Sequence, residues 1–259
     1  MGFITLATLV GAVSGALAWA VLEPTAPIDF YDSAGWLQWQ IKFTVLLGAL
    51  VAGSLGGLLG YYQGSRAHLI RGLLVGGLIG AIGGSAGMVL GGSISQAMFD
   101  DVLTNARLDA QDIPARMVTF APFGALIGLV MGVPTRSWRQ AWLGMLAGTV
   151  GGTIAGSVFG SVSLATQSLS VALKGGNEAG IVGRAVTSAI IGGCIGLVSS
   201  VVQRATRSAW LRLSLGRNEG REWLVDAGQT FIGRSENAHV PLFGDMSVAP
   251  MHACIVRQG

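Results

Sequence analysis

Charge is what this chain has least of. Asp, Glu, Lys and Arg make up 11% of its 259 residues, against about 25% in a soluble domain. That leaves too little polar surface to coat a water-soluble fold of this length. The two cysteines, Cys194 in an apolar run and Cys254 near the C-terminus, offer no disulfide framework, and Cys254 as a free thiol fits a reducing cytoplasm. His68, His239 and His252 are scattered, without metal-ligand spacing. There is no Gly-x-Ser-x-Gly elbow and no Gly-Lys-Ser/Thr phosphate loop. The sequence therefore predicts no enzyme, no cofactor and no metal site. No apolar run carries an ionisable residue deep in its middle, where proton relays and most coupled transporters place one.

Glycine and apolar residues fill the space left by charge: 41 Gly, 51% hydrophobic residues and a mean hydropathy of +0.60. Six apolar runs approach the roughly 20 residues that cross a bilayer, at about 3–22, 42–62, 72–98, 116–133, 141–163 and 183–203. The first has no basic leader and no small-residue cleavage site, so it reads as a retained helix. The third is over-long and predicts a tilt or an extension beyond the membrane. Pro122 in the short fourth run predicts a kink or a broken start, with Pro134 marking its end.

Basic residues set the orientation of such a protein. The first loop (23–40) has Glu23, Asp29 and Asp32 and no Lys or Arg; the second has Arg66 and Arg71 and no acid. Loop three sets Asp100, Asp101, Asp109 and Asp112 against Arg107 and Arg116, and loop four has Arg136 and Arg139. Loop five, with Lys174, Arg184 and Glu178, points neither way. Arg204, Arg207, Arg212 and Arg217 follow the last run. Both termini are predicted to be cytoplasmic, in a plasma membrane of the bacterial inner-membrane kind. Residues 204–210 read as a basic juxtamembrane linker, with Trp210 at headgroup depth and anionic lipid as its partner. The patch is too short to predict nucleic-acid binding.

A shift of 68 residues aligns the glycines. Gly76, Gly80, Gly84 and Gly92 fall on Gly144, Gly148, Gly152 and Gly160, and Gly124 and Gly128 fall on Gly192 and Gly196. The block at 1–203 is thus expected to be three tandem two-helix hairpins in parallel repeat. Small residues four apart, such as Gly144, Gly148, Gly152, Gly156 and Gly160, share one helix face and let backbones approach closely. A packed bundle is the favoured reading. The alternative is a glycine-lined conduit or transport-associated scaffold, and the same faces offer a route to homo-oligomers.

From about 211 the chain turns soluble in character. Short strands are predicted at 211–215, 222–226, 229–233, 238–242 and 252–257, with glycine turns between them. Gly228-x-x-x-Ile232-Gly233-Arg234-Ser235, followed by Val240, Leu242, Asp245, Val248, His252 and Ala253, resembles the forkhead-associated (FHA) domain over about 211–259, the first half of that family's length. The resemblance implies an all-β sandwich and a loop site for phosphothreonine peptides, with Ser/Thr kinase substrates as partners. It implies that Arg234, with Ser235 and Ser247, grips phosphate or peptide backbone, and that Gly233 and His252 are structural. A guanidinium suits phosphate because it donates two parallel bonds. Ala249 stands where the family has a phosphate-binding serine, with Pro250 after it and Ser247 two residues earlier. Phosphate-dependent docking and phosphate-independent docking both remain open at this point. The chain is expected to end inside the domain, with the asparagine that contacts peptide lying beyond Gly259. The whole reads as a membrane-anchored adaptor or, alternatively, a conduit with the tail as its regulator.

Overall fold

A computed structural model describes residues 2–27, 33–62, 66–99, 112–132, 137–173, 177–205, 209–214, 219, 222–225, 228–242, 244 and 246–256. The acidic loop residues Asp29, Asp32, Asp100, Asp101 and Asp109 lie outside them, as do Arg107, Pro134, Arg136, Lys174, Arg207, Arg217 and Asp245.

Among the described residues six helices are long and apolar enough to cross a membrane. They are α1 (Phe3–Leu22, extended by a 3-10 turn at Glu23–Thr25), α2 (Ser33–Tyr62), α3 (Arg66–Met98), α4 (Asp112–Gly128, with a 3-10 turn at Leu129–Met131), α5 (Trp138–Leu173) and α6 (Asn177–Ala205). In hydrocarbon every backbone group must be satisfied within its own segment, which selects helices despite the glycine content. α2 begins nine residues before the expected span and α5 ends ten after it, because backbone bonding carries a helix on where hydropathy falls. At 33 residues, α3 spans about 50 Å at 1.5 Å per residue and outruns a hydrocarbon core of about 30 Å. Pro122 sits inside α4 without ending it, so the fourth span has no broken start. Gly87 of α3 leaves room for the Pro122 carbonyl, 2.7 Å from where a Cβ would stand.

The helices close into a ring. Each packs on its neighbours in sequence, and α6 returns to pack on α1. The outer face of the ring is apolar, unlike that of a soluble protein. On α3, Gly72, Gly76, Gly80 and Gly84 are buried, while Leu74, Leu78 and Ile82 are 61–69% exposed. An apolar exterior of this kind suits a bilayer better than water. Between helices in lipid there is no hydrophobic driving force, so packing contact and local hydrogen bonds must hold the ring.

Those contacts repeat three times. In α2–α3, Gly48 meets Gly80 and Gly56 meets Gly72. In α4–α5, Phe120 meets Gly152 and Gly128 meets Gly144. In α6–α1, Ser188 meets Gly15 and Gly196 meets Ala7. In each contact a glycine lies against a backbone carbonyl, so close that a Cβ would overlap it. The equivalent positions of α2 and α4 are 72 residues apart, and those of α4 and α6 are 68 apart. The first step therefore differs by one helical turn from the shift that aligns the glycines. With small residues every fourth position, registers one turn apart look alike in sequence; large side chains choose between them.

The large side chains meet on the ring axis. Val51, Phe123 and Ile191 form one layer and Leu55, Ile127 and Ile195 the next, all buried in a single cluster. They obey the same steps of 72 and 68. α2, α4 and α6 are thus the inner helices, and the axis at these layers is filled.

The described tail has five short strands. β1 (Trp210–Arg212) pairs antiparallel with β2 (Glu222–Leu224). β3 (Gln229–Gly233) is the centre of a three-stranded sheet, parallel to β4 (Val240–Pro241) and antiparallel to β5 (Ala253–Val256). These are two small sheets, and the described strands do not amount to a sandwich.

Candidate functional site

The tail motif comes together where β3 ends. The amides of Arg234 and Ser235 donate to the carbonyls of Ala249 (3.1 Å) and Pro250 (3.1 Å), and the His252 amide donates to the Ile232 carbonyl (2.8 Å). The β3–β4 loop and the β4–β5 loop therefore lie side by side, joined backbone to backbone. Gly233 permits this: a Cβ there would overlap the Pro250 carbonyl and stand 3.0 Å from the Met251 Cα. Gly244, at φ +94°, supplies the left-handed turn that sends the second loop back.

Each loop is also tied within itself. Ser235 Oγ accepts from the Asn237 amide at 3.2 Å, and the Ala238 amide donates to the Ser235 carbonyl at 3.0 Å. His252 Nδ1 faces the Ala249 amide at 3.4 Å, a long contact that places the ring under the second loop. His239 Nδ1 accepts from the Phe231 amide at 3.2 Å and its ring stacks on Phe231. Arg234 is half-buried as a residue, with its guanidinium on the exposed side and Nη1 3.1 Å from the Met246 sulfur. A thioether is a weak acceptor, so this contact orients the side chain without holding it strongly. Ser247 follows Met246 on the exposed crest of the same loop.

The structure thus brings Gly233, Arg234, Ser235, Ala249, Pro250 and His252 together, with Ser247 on the rim. Gly233→Ala is expected to part the loops while leaving β1 and β2 paired. Hydrogen exchange at the Arg234 and His252 amides should rise by at least about tenfold, the effect of losing roughly 1.4 kcal/mol of local stability; unchanged protection at both would show that the close approach does not matter.

The ten helix-packing glycines fall elsewhere. Gly76, Gly80 and Gly84 face α2. Gly144, Gly148, Gly152 and Gly156 face α4, and Gly192 and Gly196 face α1. Gly160 is on α5, and its packing lies outside what is described. These rows are occupied by helices of the same chain.

Three residues read above only as loop charges have other positions. The Arg184 Nε of α6 donates to both carboxylate oxygens of Glu23 at 3.1 Å, and its Nη2 also donates to Oε1. The Arg116 guanidinium lies over the Phe159 ring, 4.4 Å from its centroid. Both arginines line a cavity inside the ring. The signal was in the repeat: the 68-residue shift that aligns the glycines also puts Arg116 on Arg184. No known family, curated protein or solved structure matches this chain.

Proposed function

We propose that this chain is an adaptor embedded in a plasma membrane, whose C-terminal FHA-like module docks phosphothreonine-bearing proteins on the cytoplasmic side. The observation that carries the reading is Arg234 held at the seam of two loops that the sequence separates by a dozen residues and the backbone joins directly. A guanidinium so placed is prepared for a phosphate monoester, because its donors are fixed before the ligand arrives. The hydroxyls of Ser235 and Ser247, on the two loops, are candidates for the remaining phosphate bonds, in place of the side chain that Ala249 does not have. The membrane block acts as an anchor of six helices closed through three glycine seams, and basic residues around the second and fourth loops and after α6 orient it with the tail inside. Against the conduit alternative stand the filled layers on the ring axis and the glycine rows turned toward neighbouring helices rather than toward a passage.

The test uses the full chain in lipid nanodiscs, a fluorescent phosphothreonine peptide library and its unphosphorylated counterpart. Arg234→Ala is expected to weaken phosphopeptide binding by about tenfold or more, the loss of one charge-assisted contact. Arg234→Lys should recover part of it, since an ammonium keeps charge without the fork. Equal retention of both libraries would reject phosphate recognition and leave phosphate-independent docking.

A further inference from the structure

The cavity inside the ring has a volume of about 360 Å³, at the low end of the roughly 300–1,000 Å³ of small-molecule sites. It lies between the N-terminal halves of the inner helices α2, α4 and α6. Its floor is formed by Phe123 and Ile191 of the first axial layer. Above that layer, Thr44, Arg116 and Arg184 occupy equivalent positions, related by the same steps of 72 and 68. Two of the three are therefore cations facing a shared space.

The walls are of two kinds. Phe43, Phe120 and Phe159 give an aromatic, apolar side, with Phe120 and Phe159 packed 5.6 Å apart. Arg116 and Arg184 give a cationic side, and among the described residues the lining contains no Asp or Glu. Glu23 meets Arg184 from α1, outside the lining. Both arginines stand within the first four residues of their apolar spans, near the mouth of the ring. Here two arginines fall at one level of a repeat whose other copy carries threonine, so the repeat's packing does not require the charge.

We infer that this cavity binds a single-chain lipid anion, an amphiphile with a carboxylate or phosphate head. The oxyanion head lies on Arg116, with Arg184 beside it. The apolar chain lies along Phe43, Phe120 and Phe159, closed off by the Phe123 floor. The volume suits one chain rather than two. The site belongs to the membrane block and does not depend on what the tail docks.

The experiment uses purified full-length protein in a neutral detergent and a photoreactive palmitate that carries a diazirine on its chain. Labelling is expected to be saturable and to map to peptides of α2, α4 and α5 around Phe43, Phe120 and Phe159. The matching methyl ester, with the same chain and no charge, should label about tenfold less, the loss of a charge-assisted contact. Inorganic phosphate in excess should not compete, which separates a lipid headgroup from a free anion. Arg116→Gln should cut labelling by a similar factor and Arg116→Lys should keep most of it. If Arg116→Gln fails to fold, the acid and ester are compared on the unaltered protein, and that comparison decides. Equal labelling by the ester, full competition by phosphate, or labelling confined to the outer faces of the helices would each overturn the inference.

Discussion

Replacing Gly128 by leucine is expected to prevent α4 and α5 from closing. A Cβ at Gly128 would overlap the carbonyl of Gly144, and the reciprocal is true of Gly144. Adding bulk to a packed core commonly costs about 1–3 kcal/mol when side chains can give way. Here the obstacle is a helix backbone, which can yield only if the whole helix moves, so the cost should exceed about 3 kcal/mol. Since α4 and α5 also carry the neighbouring contacts at Gly124 with Gly148 and Gly152 with Phe120, the loss spreads along the seam. The variant should elute as aggregate from detergent, or melt far below the parent protein. The matched control is Gly92→Leu on α3, where a Cβ meets nothing within 4 Å. That variant should stay within about 0.5 kcal/mol of the parent, as surface substitutions usually do. Gly77, with only the Ala49 carbonyl at 3.6 Å, should accept alanine. A Gly92→Leu as damaging as Gly128→Leu would mean that glycine serves this protein through something other than close packing.

That contrast shows what the sequence can and cannot reveal. The six spans were legible because hydropathy and length act locally, and each helix contains its expected span almost entirely. Their ends were not, since the starts of α2 and α6 and the end of α5 lie in mixed stretches where hydropathy drops but backbone bonding continues. The glycine rows were legible as faces. Their partners were not, because a four-residue spacing repeats at every turn and leaves the register between α2 and α4 undetermined by one turn. Only the axis side chains fix it: Val51 with Phe123, and Leu55 with Ile127. In the tail, strand positions followed from alternation and glycine turns, and β3 falls where expected. The parallel pairing of β3 with β4 has no local signal. It depends on the short loop from Arg234 to His239 folding over, with His239 capping the Phe231 amide. The cavity was hidden for a different reason. Arg116 and Arg184 sit at the ends of apolar runs, where charge reads as topology, and only a closed ring turns two such ends toward one another.

Ring closure leads to the second large effect. α1 and α6 are the first and last helices of the block, and no short loop holds them together. Their seam has Gly11 against Gly192 and Gly15 against Ser188, and it ends in the Arg184–Glu23 ion pair. Exposed pairs contribute about 0–1 kcal/mol, and breaking a fully buried one by removing a single partner costs about 3–5. This pair stands between, with side chains 31% and 12% exposed. Glu23→Gln should therefore destabilise the folded ring by roughly 2 kcal/mol, read as a drop in melting temperature in detergent. Arg184→Gln should cost a comparable amount, since it leaves the more buried carboxylate without its cation. The charge-swapped double variant, Glu23→Arg with Arg184→Glu, should recover part of the loss, and a coupling energy near zero in that cycle would show the pair to be incidental. Stability and ligand affinity should move in opposite directions in Glu23→Gln. Removing the carboxylate loosens the α1–α6 seam and at the same time releases the Arg184 guanidinium toward the cavity, where it becomes a second partner for an oxyanion. Labelling by photoreactive palmitate should rise in that variant while its melting temperature falls. A general loosening of the ring would instead lower both, so the two readouts together separate an anion site from a structural pair.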